Sequence, residues 1–594
     1  MVVSLLHTFE IAALAGGWTL AGHALLPVRI RHERDRALVW ASAMALGAGV
    51  TAVVVTVLAI LHAFSRGWVL VVAGAGSVIA VLELARLGRA GALSFSLPKI
   101  ADRTQRVAFL ALAVVLVLTL VATLAPPASM DATVYHLRVP SEFLRVATWT
   151  KLEETQSFQP LYVEMLFGEA LGVGGGVVAA LVHWALGLGA IAAAAAWARR
   201  LGGSAIWGAV IFGATALYVW ESTSTFVDLG LALFSSLAFF WATRTDEGWQ
   251  TTVLAGIFGG LAAGSKFTGL IVVALVGLAG FAIVWPEWRR GARRLMTIGI
   301  LAMVVALPWY IRNLILTGNP IYPLANPLFG LPAVVFSSVK YGLGRDPLHL
   351  LTSAVDLIAR GEVFDQGWSV GPAYLAFVPL GLAARRSRLA VVLLACIVAW
   401  WLVWFCSSPQ TRLLLPIMPI AAGLASVGFV SAWSSSSRSL RLVALTVVAI
   451  AVLGALGTAV LAAKLNGRVV LGLESPAQYL ERNSWNYIAY EQVNHLSPPD
   501  AKVAVTGVAN NLYYMDREAI WLGRDSRSTA QLRAEGFTHE LLVAACPLPS
   551  VETESTILND GTYPLRASRL SGGLYMQVCY RISALGPARS GSDR

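Results

Sequence analysis

Charge is what this chain has least of. Asp, Glu, Lys and Arg make up 13% of its 594 residues against 57% hydrophobic ones, and the mean hydropathy is +0.68. A soluble enzyme with one ordinary core is excluded at that ratio, and lipid must solvate most of the surface. Cysteine is scarce too, with four residues. Cys396 and Cys406 fall in an apolar run and read as packing residues. Cys546 and Cys579 lie in the C-terminal tail, where an oxidising compartment would let them pair, though spacing does not decide it. The first apolar run has no basic leader and no small-residue cleavage site, so it reads as a retained helix, not a removed signal peptide. A net charge of +11 comes without a basic patch, which excludes nucleic acid as a partner. The tail has neither a Gly-rich phosphate loop nor metal-ligand spacing, and no internal repeat is visible along the chain.

Long apolar runs fill the space these absences leave. A helix needs about 20 apolar residues to cross a hydrocarbon core, and about fourteen such runs recur between residues 3 and 462. The expected fold class is therefore an α-helical polytopic membrane protein with a small C-terminal extracytoplasmic α/β domain. Arginines gather in alternate short connections, for example Arg29 to Arg36, Arg199 with Arg200, Arg289 to Arg294, and Arg385 to Arg388. The positive-inside rule makes those loops cytoplasmic. Two long segments, 128–175 and 317–369, then fall outside, as does the tail. Three regions follow: additional N-terminal membrane helices over 1–106, a membrane module over 107–464, and the extracytoplasmic domain over 465–594, which ends in a disordered tail, "GPARSGSDR". In that domain Ser475 and Pro476 open a helix, a polar helical stretch lies near 527–535, and "AKVAVTG", "NLYYM", "HELLVAA" and "LYMQVCYRI" read as strands.

Polar residues are conspicuous where the apolar runs stop. "SMDATVYHLRVPSEFL" holds Asp131, Tyr135, His136 and Arg138 just after Pro126 and Pro127. In an α-helix Asp131, Tyr135 and Arg138 stand at i, i+4 and i+7 on one face. One carboxylate at a membrane–water interface suits a general base that takes a proton from a hydroxyl. The competing reading, that Asp131 caps the helix and pairs with Arg138, is left open by spacing alone. Other polar residues converge on the same side: Gln159 and Glu164, Glu221 and Asp228, Lys266, Arg312 with Asn313, and Arg412. Singly each is an ordinary snorkelling or capping residue. Together, cations and acids on one face of an apolar bundle suit an anionic substrate carried by lipid.

In this order "DATVYHLRVPSEFL", "QPLYVEMLFGEAL", "FVDLGLALF", "GSKFTGL", "PWYIRNLILTGNPIYPL" and "TRLLLPIMP" resemble the bacterial membrane glycosyltransferases of the C superfold, mannosyltransferase- or arabinosyltransferase-like enzymes that use polyprenyl-phosphate sugars. The resemblance runs over about 107–432 and extends to the tail. It implies an inverting transfer, at the outer face of a bacterial plasma (inner) membrane, of a sugar from a polyprenyl-phosphate donor to a hydroxyl on a lipid, glycan or protein. It assigns the catalytic base to Asp131; charge developing on the leaving phosphate calls for fixed cations, for which Arg412, Lys266 and Arg312 are the candidates, with the remaining polar residues named above in substrate binding. One departure bears on cofactors: many relatives carry two adjacent acids here, whereas Met130 and Ala132 flank Asp131, so metal independence is expected. Two other functions compete, a flippase or transporter of lipid-linked glycans and a ligase or polymerase of lipid-linked polysaccharide.

Overall fold

Four of the long apolar helices begin where a short polar side chain satisfies a free amide of the first turn. Asp35 accepts from Leu38 N at 3.2 Å, Asp102 from Gln105 N at 2.8 Å, Ser387 from Ala390 N at 3.2 Å and Ser437 from Leu440 N at 3.3 Å. Each cap is followed by an arginine: Arg36, Arg103, Arg388 and Arg438. The helix dipole disfavours a cation in a first turn, so helix electrostatics do not account for these arginines, whereas anionic lipid head groups do.

The computed structural model describes residues 2–91, 100, 102–152, 155–246, 248–334, 341–365, 369–508, 510–523, 527–546, 555–566 and 575–585. The expected tail at 586–594 lies outside them. Contacts divide the chain into two units, one of Met1–Ala125, Phe143–Thr150 and Phe158–Leu473, the other of Pro126–Glu142, Lys151–Ser157 and Glu474–Arg594.

The first unit is helical. Among the described residues eight helices are long and apolar enough to cross a membrane, nine if a bent pair counts as one span; the chain is a multi-pass membrane protein. Several of the apolar runs are shorter as helices than as sequence. Asp228–Thr243, Trp249–Ala263, Thr268–Ala282 and Ala373–Ala384 have 16, 15, 15 and 12 residues, at most about 24 Å at 1.5 Å per residue. Their flanking apolar residues continue the hydropathy but not the helix. The run at 204–220 is the bent pair: Ala205–Gly213 and Ala216–Ser222 meet at 70°. Thr215 caps the second half by accepting from Tyr218 N at 3.1 Å, which re-satisfies backbone freed by the break. The loop expected over 317–369 contains an apolar helix, Pro347–Ala359, capped by Asp346.

Gly176–Leu201 and Thr411–Trp433 form the centre, with 78% and 89% of their apolar windows buried; Arg66–Arg89 and Arg438–Val470, at 17% and 22%, present their apolar faces outward to lipid. Thr411–Trp433 is held at close range by small residues, the usual means of helix association in lipid. A Cβ on Gly381 would lie 2.1 Å from Leu424 O, and one on Gly428 2.0 Å from Phe377 O. Gly428→Leu must therefore push the backbones of neighbouring helices away from each other. Overpacking of this kind costs about 1–3 kcal/mol or more, and thermal unfolding in detergent should show a clearly lowered transition.

The second unit holds a five-stranded mixed sheet of β1 (Lys502–Gly507), β2 (Glu518–Trp521), β3 (His539–Ala545), β4 (Ser555–Arg566) and β5 (Tyr575–Leu585) in the order β2-β1-β3-β5-β4. β1 pairs in parallel with β2 and β3, whereas β5 is antiparallel to β3 and β4. Val503, Ala504 and Val505 are buried in succession, as a parallel strand covered on both faces requires. Tyr490 and Val493 of helix Tyr487–Leu496 pack with Val503, Val505, Leu541 and Ile582 into its core. Ser475 opens helix Pro476–Asn483 with a capping box, and Ser528 does the same for Thr529–Ala534. "NLYYM" is a 3-10 turn, Leu512–Tyr514, not a strand: its aromatics serve packing instead of a ladder. Cys546 and Cys579 form a disulfide.

Candidate functional site

Residues 126–142 belong to the same unit as the sheet domain, and Tyr514 Oη donates to Pro127 O at 2.6 Å. Asp131 precedes a π-helical turn, Ala132–His136, closed by Leu137 N donating to Ala132 O at 2.9 Å. Such turns are frequent at functional sites. The wider turn changes the face expected from α-helical spacing. Tyr135 Oη still donates to Asp131 Oδ2, at 3.3 Å. Arg138 instead bonds Glu142, 2.6 Å away, and donates to Ala519 O at 3.0 Å. It is buried and ties this segment to β2. His136 is buried with its ring 4.0 Å from that of Tyr135. Among residues 131–140 only Asp131 keeps partial exposure, and its side chain makes no helix-capping bond.

The first unit gathers a second constellation. Asp228 begins helix Asp228–Thr243, and Lys266 Nζ lies 2.8 Å from its Oδ1. Glu221, in the second half of the bent pair, is fully buried; among the described residues neither carboxylate oxygen has a hydrogen-bond partner, and it interacts electrostatically with Asp228, Arg412, Lys266 and Asp365. Arg412 Nε lies 3.7 Å from Asp365 Oδ2, donates to Gln410 Oε1 at 3.1 Å, and its guanidinium carbon sits 5.4 Å from the Phe226 ring centroid. Buried carboxylates are ordinarily hydrogen-bonded, so Glu221 is poised to receive a donor from whatever enters. No three His, Cys, Asp or Glu among the described residues stand so as to hold a metal ion.

Sequence reasoning missed three contributors. His183 lies in an apolar run where a lone histidine gives no signal; its Nδ1 is 2.8 Å from Ser224 O and its Nε2 accepts from Leu229 N at 3.1 Å. Those bonds require the Nδ1–H tautomer and clamp the turn between Glu221 and Asp228. Phe226 and Asp365 were invisible because only the fold sets them beside Arg412.

Arg312 and Asn313 keep different company. Arg312 is 1% exposed, donates to Thr150 O at 3.0 Å and lies 5.5, 5.6 and 5.9 Å from the rings of Phe143, Phe158 and Trp309. Asn313 Nδ2 donates to Phe158 O at 2.7 Å and Pro320 O at 3.4 Å. These contacts secure the chain around Thr150, Phe158 and Pro320. Glu164 is buried in the first turn of helix Tyr162–Gly174, and Gln159 is half-buried before Pro160.

An apolar groove with a cavity of about 220 Å³ runs past Tyr374, Trp401, Leu414 and Ile417. Leu414 and Ile417 belong to the same 3-10 segment, Thr411–Ile417, as Arg412.

A family model described as a domain of unknown function, DUF8201, matches residues 177–333, a stretch that contains Glu221, Asp228 and Lys266. No curated protein matches the chain. Among solved structures, ArnT from Cupriavidus metallidurans in the apo state is 14% identical, with 81% of this chain and 98% of that one covered and a TM-score of 0.53. ArnT bound to undecaprenyl phosphate gives 14%, 82%, 100% and 0.51. The chain shares its fold with ArnT.

Proposed function

We propose that this chain is an inverting glycosyltransferase that moves a sugar from a polyprenyl-phosphate donor to a hydroxyl acceptor on the extracytoplasmic side of a bacterial plasma membrane. The observation that carries the reading is the likeness, over 82% of this chain and 100% of that one, to ArnT, which has been solved with undecaprenyl phosphate bound. The apolar groove supports it: an apolar tail suits the walls formed by Trp401, Leu414 and Ile417, and the 3-10 segment that supplies Leu414 and Ile417 also carries Arg412, a cation suited to an anionic head.

Asp131 takes the acceptor's hydroxyl proton as the oxygen attacks the anomeric carbon. The bond from that carbon to the donor phosphate breaks, its electron pair stays on the phosphate oxygen, and configuration inverts. Charge thus develops on the leaving phosphate, where a fixed guanidinium stabilises it more than it stabilises the ground state. Arg412 has the planar fork for that task. Lys266, already facing Asp228, serves as a point charge behind it. Sidedness is supported by the arginine-rich alternate loops and by the Cys546–Cys579 bond, which persists in an oxidising compartment.

The test is single-turnover transfer by the purified full-length protein from a polyprenyl-phosphate monosaccharide, with the anomeric configuration of the product read by NMR. Movement of donor without a new bond, or transfer of an intact glycan block only, overturns the proposal in favour of a flippase or a ligase. The transfer is also expected to be metal-independent. Excess EDTA should leave the single-turnover rate within about twofold of the untreated rate, whereas an essential divalent metal, as electrophile, would cost several kcal/mol of barrier on removal.

A further inference from the structure

A second cavity lies in the helical unit, and the transfer proposed above makes no use of it. It measures about 810 Å³, within the range of roughly 300–1,000 Å³ of small-molecule sites. Its walls are apolar, formed by Leu112 and Leu116 of helix Arg103–Thr123, Ile191 and Ala195 of Gly176–Leu201, and Ile206 and Ala209 of the first half of the bent pair. Its mouth is charged, with five arginines, Arg34, Arg36, Arg199, Arg200 and Arg244, against two carboxylates, Glu33 and Asp35. Both carboxylates are already matched: Arg199 Nε donates to Asp35 Oδ2 at 2.8 Å, and Arg244 Nη2 lies 2.9 Å from Glu33 Oε2. Arg200 stacks at 4.6 Å on the Phe240 ring and donates to Thr243. The side chains of Arg34 and Arg36 are exposed and make no ion pair among the described residues. Asp228 and Arg244 mark opposite ends of helix Asp228–Thr243, so this mouth is about 24 Å from the Glu221 cluster along that helix.

We infer that this cavity binds an anionic membrane phospholipid, its phosphate at Arg34 and Arg36 and one acyl chain between the three apolar helices. A soluble anion has no use for so large an apolar wall, and a neutral lipid has none for the surplus of arginines. Basic pockets between membrane helices take lipid phosphates for the same reason. The occupant fills space between helices that would otherwise lack contacts, so it holds the bent pair against helix Arg103–Thr123. Stability of the protein then depends on the lipid head group present.

The experiment uses the full-length protein in mild detergent, with phosphatidylglycerol and phosphatidylcholine of identical acyl chains added separately. Native mass spectrometry should show one phosphatidylglycerol retained, and thermal unfolding should shift upward with it but not with phosphatidylcholine. Arg34→Gln with Arg36→Gln should weaken phosphatidylglycerol binding roughly thirtyfold, about fivefold per arginine near an anionic head group. The double variant should unfold like wild type in phosphatidylcholine. Ala209→Phe, which fills the crevice and leaves every charge in place, should abolish retention. Equal binding of the two lipids, or unchanged phosphatidylglycerol binding in both variants, overturns the inference. So does displacement of phosphatidylglycerol by equimolar undecaprenyl phosphate, which would make this a second donor site.

Discussion

Asp131→Asn is expected to express, insert and unfold like wild type while its single-turnover transfer falls by about 10²–10⁴-fold, the usual cost of losing a general base. The substitution separates chemistry from structure at this position. Asp131 makes no helix-capping bond, and the hydroxyl of Tyr135 at 3.3 Å donates as well to an amide oxygen as to a carboxylate. Asparagine keeps the shape and an acceptor oxygen at this partly exposed position, so the change in stability should stay within about 0.5 kcal/mol. What the amide cannot do is take a proton. Donor affinity, which the mechanism assigns to other residues, should be unchanged. Expression, unfolding temperature and transfer measured on one preparation decide the matter. Near-normal transfer would remove Asp131 as the base and move the role to Glu221 or Asp228.

The helices were legible because a hydrocarbon solvent demands long apolar runs, and hydropathy records that demand directly. Their breaks were not. "GATALY" stays apolar through the 70° bend, and nothing in its composition announces that Thr215 caps a new helix there. The face shared by Asp131, Tyr135 and Arg138 assumed 3.6 residues per turn. The π-helical turn keeps the nearer pair together and sends Arg138 to Glu142 and β2. In the tail, "NLYYM" has the aromatic content of a strand, but its tyrosine hydroxyl is needed at Pro127 O; the four-residue β2 is too short to register as a pattern. The ions of the candidate site were legible one by one as polar residues at helix ends. Their partners were not, since Lys266 with Asp228 and Arg412 with Asp365 are brought together by tertiary packing across dozens of residues. Arg312 shows the limit most plainly. Its charge is evident in the sequence, whereas the three aromatic rings that surround it come from separate segments.

Arg412→Ala should lower transfer by about 10²–10³-fold, the cost typical of removing one preorganised donor to developing negative charge. The division between constants carries the mechanism. A guanidinium that works only as the phosphate departs lowers kcat, and one that grips the resting donor raises KM with kcat unchanged; the first is expected. Arg412→Lys keeps the charge but loses the planar fork that now reaches Gln410 and lies over Phe226. It should recover some of the rate and remain at least about tenfold slower than wild type. Removing the guanidinium also takes away the cation facing Asp365 at 3.7 Å, and a buried acid that loses a counter-charge destabilises by about 1–3 kcal/mol. Pairing Arg412→Ala with Asp365→Asn should restore the unfolding temperature and leave transfer low. Restored transfer in the double variant would mean that Arg412 only holds the fold, and wild-type transfer in Arg412→Ala alone would remove the residue from the reaction.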